Sequence, residues 1–247
     1  MDLRGRTAVG TGAASGMGAA TAEVLAKHGA RVALLSRRGD RLAALADRLG
    51  ADTLAVPVDV TDEAAVAGAV ERVHGAFGRV DLVVAAAGVM LPNPVEEGRA
   101  DEWSRMIETN ITGVLHIVRA FTGDLLAAAA DGAVADLVTI SSIGAHVTFP
   151  NYAVYSATKA AITHLAASLR TEFGPRDVRV TNIEPGLTRT ELGTHIDSAP
   201  LRGQLAQMFD VIDALDAEDI ADLVGYVVSR RRAVNLRQLV VLPTRQA

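Results

Sequence analysis

The 247-residue sequence contains no cysteine, which excludes disulfides, thiolate chemistry and cysteine-ligated metal sites. It has almost no lysine. Only Lys27 and Lys159 carry an ammonium among 24 basic residues, and the rest are arginine. In an alanine-rich chain this looks like a coding bias against lysine, so a surviving ammonium needs a reason; lysine shifts or sheds its charge far more easily than arginine. A basic surplus is also missing. The net charge of -5 argues against nucleic acid as the main partner, since phosphate binding wants a basic surface. No apolar run reaches the roughly 18 residues of a membrane helix, and residues 1–6 lack the apolar region of a signal peptide. The expectation is a soluble cytoplasmic protein without membrane contact. The six histidines show no His-x-x-x-His or comparable spacing, so no metal site is expected.

What is present is a chain 49% hydrophobic and 21% charged, a composition that excludes wholesale disorder and a length that buries a sizeable core. Short β-branched runs alternate with alanine-rich helical stretches. Strands are expected over 6–10, 31–36, 53–58, 82–86, 135–141, 179–184 and 238–242. Helices are expected over 18–28, 40–49, 63–77, 102–129, 155–173 and 217–228. In the third helix Val66, Val70, Val73 and Phe77 form an apolar stripe, and Thr61 or Asp62 can cap its free amides. Such alternation predicts an α/β fold with a parallel sheet, helices on both faces and right-handed crossovers. No linker or repeat divides the chain, so one domain covering 1–247 is expected. The least regular stretch, about 187–216, falls above the carboxyl end of the sheet, where these folds bind ligands, and reads as a mobile substrate lid.

The first strand runs into Thr11-Gly12-Ala13-Ala14-Ser15-Gly16-Met17-Gly18 and then a helix. Glycines there allow a tight turn and close approach to a pyrophosphate, which the helix N-terminus attracts. Gly12, Ser15, Gly16, Met17 and Gly18 are therefore candidate cofactor contacts, whereas Gly10, inside the strand, has no such rationale. At the end of the second strand, Ser36, Arg37 and Arg38 stand where a carboxylate would take a ribose 2′-hydroxyl. Arginine suits a 2′-phosphate instead, which favours NADP over NAD. Asp59-Val60 closes the third strand, where a carboxylate can take the adenine amino group or simply begin a helix.

Tyr155 and Lys159 lie four apart on a predicted helix and so share a face. An ammonium beside a phenol favours phenolate and is expected to lower the tyrosine pKa, which suits acid–base work on an alcohol or carbonyl. Ser142, thirteen residues earlier at a strand end, can hold a substrate oxygen. Asn110 sits in an apolar helix where a buried amide needs partners.

Thr11–Gly18, Asp59-Val60, Ala87-Gly88, Asn110, Ser142, Tyr155-x-x-x-Lys159 and Pro185-Gly186 together resemble the short-chain dehydrogenase/reductase family, in its compact branch, over essentially the whole chain. The resemblance implies a Rossmann fold with a seven-stranded parallel sheet, and hydride exchange between a nicotinamide and a carbonyl or alcohol carbon. It implies that Tyr155 is the general acid or base, that Lys159 lowers its pKa and binds the nicotinamide ribose, and that Ser142 holds the substrate oxygen. Asn110 would position a relay water. Pro185, Gly186, Thr188 and Thr190 would orient the nicotinamide, and Ala86, Ala87 and Gly88 would contact the cofactor. The family's usual asparagines are replaced by Ala85-Ala86, which puts cofactor affinity and local rigidity in question.

The expected activity is an NADP-dependent reductase of a small-molecule ketone or aldehyde. Alternatives are a reductase of acyl groups on an acidic carrier protein, for which Arg99, Arg105, Arg189 and Arg202 would have to cluster, and a non-catalytic NADP-sensing module. Substrate choice is expected to rest with the lid and with Ile143, His146, Phe149 and Asn151. The resemblance further implies a homo-oligomer, tetramer or dimer, paired through the long helices near Glu102 and Tyr155.

Overall fold

Every expected strand forms, with ends displaced by one residue at most. The computed structural model describes residues 1–246. The chain runs β1 (Thr7–Thr11), α1 (Gly16–Lys27), β2 (Arg31–Ser36), α2 (Gly39–Leu49), β3 (Thr53–Pro57), α3 (Glu63–Phe77) and β4 (Leu82–Ala85). It continues with α4 (Ala100–Ile107), α5 (Gly113–Ala130), β5 (Ala135–Ile140), α6 (Ala153–Phe173) and β6 (Val178–Pro185). It closes with β7 (Thr188–Arg189), α7 (Ala199–Val211), β8 (Leu215–Asp216), α8 (Ala217–Val228) and β9 (Gln238–Val241). Seven strands make one parallel sheet in the order β3-β2-β1-β4-β5-β6-β9. This is a Rossmann-type doubly wound sheet. The chain leaves β1 for β2 on one side and later returns to place β4 on the other, which opens a crevice at the carboxyl ends of β1 and β4.

Alternate residues of each central strand feed two cores, because successive side chains point to opposite faces. Val9, Leu35 and Val83 meet Val66 and Val73 of α3, Phe121 of α5 and Ile162 of α6. Ala8, Leu34 and Val84 meet Leu25 of α1, Leu42 of α2 and Val224 of α8. Asp62 caps α3, accepting from the Ala65 amide at 3.0 Å.

At the amino ends of the strands lies a buried ionic cluster. Asp136 accepts from Arg179 through both carboxylate oxygens, at 2.7 and 2.8 Å. Arg6 spans Asp136 at 2.8 Å and Asp81 at 2.5 Å. Four strands are tied together at the end opposite the crevice.

Three expectations change. The single helix expected over 102–129 is broken by a π-turn, Glu108–Thr112, between α4 and α5. The whole run from Ala100 to Ala130 is long and apolar enough by composition to cross a membrane, unlike the reading from uninterrupted apolar runs. Here Val114, Ile117, Val118, Phe121 and Leu125 of that run pack into the core. The stretch 187–216 is also more ordered than its composition suggests. β7 pairs with β8, and α7 fills the middle, with Pro200 in its first turn, where a missing amide hydrogen costs nothing.

Candidate active site

The crevice begins where β1 passes into α1. Gly12 has φ +68°, and a Cβ there would lie 2.9 Å from the Ala86 carbonyl oxygen, while one on Gly18 would strike the Gly12 carbonyl. These two glycines let the start of α1 close onto β1 and β4. Ser15, at the N-cap of α1, makes no capping bond, and no acid stands in the first turn. Its hydroxyl instead accepts from Arg38 Nη2 at 2.5 Å. The first-turn amides of α1 and the positive end of its dipole therefore face the crevice without an internal partner, an arrangement that fits a pyrophosphate. Thr11 Oγ1 accepts from the amides of both Ala86 and Ala87, each at 3.0 Å. The strand end left without asparagines is braced by this hydroxyl.

Most residues expected at a cofactor line this one cavity: Gly12, Ser15, Gly16, Met17, Gly18, Ser36, Arg37, Arg38, Asp59, Val60, Ala86, Ala87, Gly88, Tyr155, Lys159 and Thr190. Pro185, Gly186 and Thr188 line the adjoining cavity instead, together with Ser142 and Tyr155. At the far end of the crevice, Asp59 Oδ1 accepts from the Thr61 amide and hydroxyl at 3.0 and 2.8 Å, and Oδ2 lies 3.8 Å from Arg37. Burial pushes this carboxyl up, but the Thr61 bonds and Arg37 outweigh it and hold the pKa below the usual value. Arg38 is not a free cation: besides Ser15 it reaches Glu191 at 2.8 Å. Arg41 reaches the same carboxylate at 2.7 and 2.8 Å. The hydrogen bonds from Arg38 and Arg41 pull the Glu191 pKa down to about 2. Neither Glu191 nor Arg41 was marked by the sequence, because their pairing spans 150 residues.

The catalytic candidates converge where the two cavities share a wall. Tyr155, Thr158 and Lys159 all lie on the buried face of α6. Lys159 Nζ donates to the Ile140 carbonyl at 3.0 Å and sits 5.8 Å from the centroid of the Tyr155 ring. The phenol thus meets the ammonium across its ring face. This corrects the expected pKa direction. Burial pushes Tyr155 up to about 12, against a smaller pull from the Ser142 hydroxyl, and burial pushes Lys159 down to about 8. Desolvation disfavours both charged forms, and it exceeds the attraction between them at this geometry.

Asn110 lies in the π-turn, fully buried and behind the crevice wall. Its Oδ1 accepts from the Val89 amide at 2.8 Å, and its Nδ2 donates to the Val89 carbonyl at 2.9 Å and to Thr158 Oγ1 at 3.1 Å. The amide locks the loop after β4 to α6. π-turns recur at functional sites because they re-aim the backbone within a helix.

The second cavity is apolar, with Met90, Ile143, Phe149, Leu205, Met208 and Phe209 in its walls. His146 does not join it: its Nε2 lies 2.9 Å from Glu184 Oε2. Asn151, too, is outside it and uses its carbonyl to accept from the Asn93 amide at 2.9 Å. Glu184, fully buried in β6, accepts from Asn182 and Gln238 at 2.8 and 2.9 Å and lies 2.6 Å from the Thr163 hydroxyl. The cluster continues through Ser141, which donates to the Lys159 carbonyl at 2.8 Å. Gln246 reaches back from the C-terminal turn to accept from the Leu187 amide at 2.7 Å. Among the described residues no group of three or more acidic or histidine side chains could hold a metal ion.

A model of the short chain dehydrogenase family matches residues 6–200. An uncharacterized oxidoreductase of Staphylococcus haemolyticus is 35% identical, over 98% of this chain and 99% of its own. Among solved structures, a 3-ketoacyl-(acyl-carrier-protein) reductase from Brucella melitensis complexed with NADH superposes with a TM-score of 0.90 at 29% identity, covering 100% of both chains. The closed form of a serine dehydrogenase complexed with NADP+ gives 0.91 at 28% identity, covering 98% of this chain and 96% of that one. Sequence, fold and site geometry lead to one assignment: the chain belongs to the short-chain dehydrogenase/reductase family and is an oxidoreductase of that family.

Proposed function

We propose that this oxidoreductase exchanges hydride between NADP(H) and a compact apolar ketone, aldehyde or secondary alcohol. The observation that carries the reading is the position of Tyr155 on the wall common to the nucleotide crevice and the apolar cavity. Bound in the crevice, the nicotinamide supplies or accepts the hydride. The chain's own residues manage the proton and the geometry. Tyr155, held protonated by burial, is the general acid in reduction and, on losing its proton, the base in oxidation. Ser142 orients the substrate oxygen toward it. Lys159, anchored on Ile140, would hold the nicotinamide ribose and carry the proton onward, while Asn110 fixes the loop after β4 to α6. Pro185, Gly186, Thr188 and Thr190 line the apolar cavity, which measures about 140 Å³, and would orient the nicotinamide there. Residues 187–216, with α7, form the movable side of that cavity.

The absence of a carboxylate at Ser36, with Arg37, Arg38 and Arg41 grouped beyond it, supports NADP over NAD. Reduction of carrier-protein-bound 3-ketoacyl groups ranks below this. Three of the four arginines it needs are engaged locally: Arg99 with Glu102 at 2.5 Å, Arg189 with Asp213 and Asp216 at 3.6 and 3.7 Å, and Arg202 with the Ile196 carbonyl at 2.6 Å. A cofactor-sensing module without catalysis ranks lower still, since Asn110, Ser142, Tyr155 and Lys159 are all present. Exposed Ile107 and Leu115 on the α4–α5 face support self-association, checked by light scattering.

The test is NADPH oxidation against a panel of small ketones and aldehydes. Turnover is expected, and Tyr155→Phe should lower it by about 10²–10⁴-fold while cofactor binding persists. Tight NADPH binding with no turnover on any carbonyl would overturn the proposal.

A further inference from the structure

At the nucleotide end of the crevice the arginines are already partly occupied. Glu191 belongs to the segment after β7, and Thr190 beside it packs against Gly16: a Cβ on Gly16 would lie 3.2 Å from Thr190 Cβ and Cγ2. The chain thus crosses the crevice from the glycine loop to the arginines. There the Glu191 carboxylate takes three charge-assisted bonds, one from Arg38 and two from Arg41, all at 2.7–2.8 Å. Arg38 places its remaining arm on Ser15, while Arg37 leans toward Asp59 at 3.8 Å.

We propose that Glu191 determines cofactor choice by competing with a 2′-phosphate for Arg38 and Arg41. A 2′-phosphorylated dinucleotide displaces the carboxylate, whereas a non-phosphorylated one leaves it in place. The inference rests on the reading of the crevice as a nicotinamide-dinucleotide site. The chemistry favours exchange. A phosphate brings three acceptor oxygens and more negative charge than a carboxylate, and the guanidinium fork matches either anion. Glu191, Arg38 and Arg41 have side chains 42%, 40% and 52% exposed, so the existing pairs are screened and hold weakly. Displacement also moves the wall of the substrate cavity, because Leu192 and Gly193 line it directly after Glu191. A 2′-phosphate therefore does more than dock: it releases the segment that crosses the crevice.

The decisive experiment is calorimetric titration of wild type and Glu191→Gln with 2′,5′-ADP, 5′-AMP, NADP+ and NAD+. Neutralising Glu191 should tighten 2′,5′-ADP and NADP+ by about tenfold, because a like charge no longer competes with the phosphate for the two guanidinium groups, and leave 5′-AMP and NAD+ nearly unchanged. Equal shifts for both ligand pairs, or no shift in either, would refute the competition while leaving the crevice assignment intact. Failure of wild type to bind any of the four would remove the crevice assignment, and the competition with it. Glu191→Asp, which keeps the charge, should retain the wild-type discrimination, and circular dichroism would confirm that the variants stay folded.

Discussion

Tyr155 and Lys159 are each held in the form that carries no charge more readily than in water, and this has a measurable cost. The ammonium of Lys159 falls from an ordinary 10.5 to about 8, so between those values the unfolded chain binds more protons than the folded one. Stability of the cofactor-free protein should therefore rise with pH across that window. Tyr155 acts in the opposite sense. Its pKa rises from 10.0 to about 12, so the folded chain holds the proton longer and stability falls between those values. Lys159→Met should abolish the rise and, at pH 7, stabilise the protein by about 1–3 kcal/mol, the unpaired Ile140 carbonyl offsetting part of the gain. Urea denaturation at pH 7 and 9 checks this, and an unchanged pH slope would contradict it. Gly10 offers a second residue-scale test. It is buried in β1, and a Cβ added there meets nothing within 4 Å. Gly10→Ala should raise stability by roughly 0.5–1 kcal/mol, since glycine gives up the most backbone freedom on folding. A loss of stability would show that the space is not truly available.

Among the elements, the junction of β1 with the end of β4 shapes the crevice, and a single hydroxyl holds it. Replacing Thr11 by valine keeps the volume but leaves the Ala86 and Ala87 amides without an acceptor. The expected loss is about 1–3 kcal/mol per stranded amide, seen as a lower denaturation midpoint and weaker dinucleotide binding in titrations. A silent Thr11→Val would mean that water replaces the hydroxyl without loss. Elements of this kind divide sharply in how well the sequence announces them. Strands β1, β2, β4, β5 and β6 are legible because they are short apolar runs buried almost throughout, the half-exposed edge strands β3 and β9 because they too are short apolar runs, and α3 because its apolar stripe and its cap coincide with its true ends. The π-turn around Asn110 is not legible, since a π-turn inserts into a helix without changing its composition. Nor is α7, whose Pro200 and Gly203 read as breaks although one opens the helix and the other lies within it. Tyr155, Lys159, Ser142 and the glycine loop stand out by spacing. The fate of Arg38 does not, because its partner Glu191 comes from a distant segment. The pKa direction of Tyr155 is not legible either, because spacing gives proximity but not the angle of approach or the depth of burial.

For the molecule as a whole, chemistry and cohesion sit at opposite ends of the same strands. The crevice and the apolar cavity occupy the carboxyl ends, while Arg6, Asp81, Asp136 and Arg179 bind β1, β4, β5 and β6 at the amino ends. Arg179 also donates to the carbonyls of Val228, Arg230, Arg231 and Val234, which ties the exit of α8 to the sheet. Removing one partner strands a buried charge, so Asp136→Ala should cost about 3–5 kcal/mol. Its kcat and KM below the melting transition should match wild type, because no member of the cluster lines either cavity. Altered kinetics in a folded Asp136→Ala protein would show that the two ends communicate. The near absence of lysine has a practical side as well. With Lys159 enclosed and Lys27 exposed, amine-acylating dyes or resins should modify the native protein only at Lys27 and the α-amino group, giving an almost uniquely tagged preparation. Any label appearing on Lys159 would then report the moment its chamber opens.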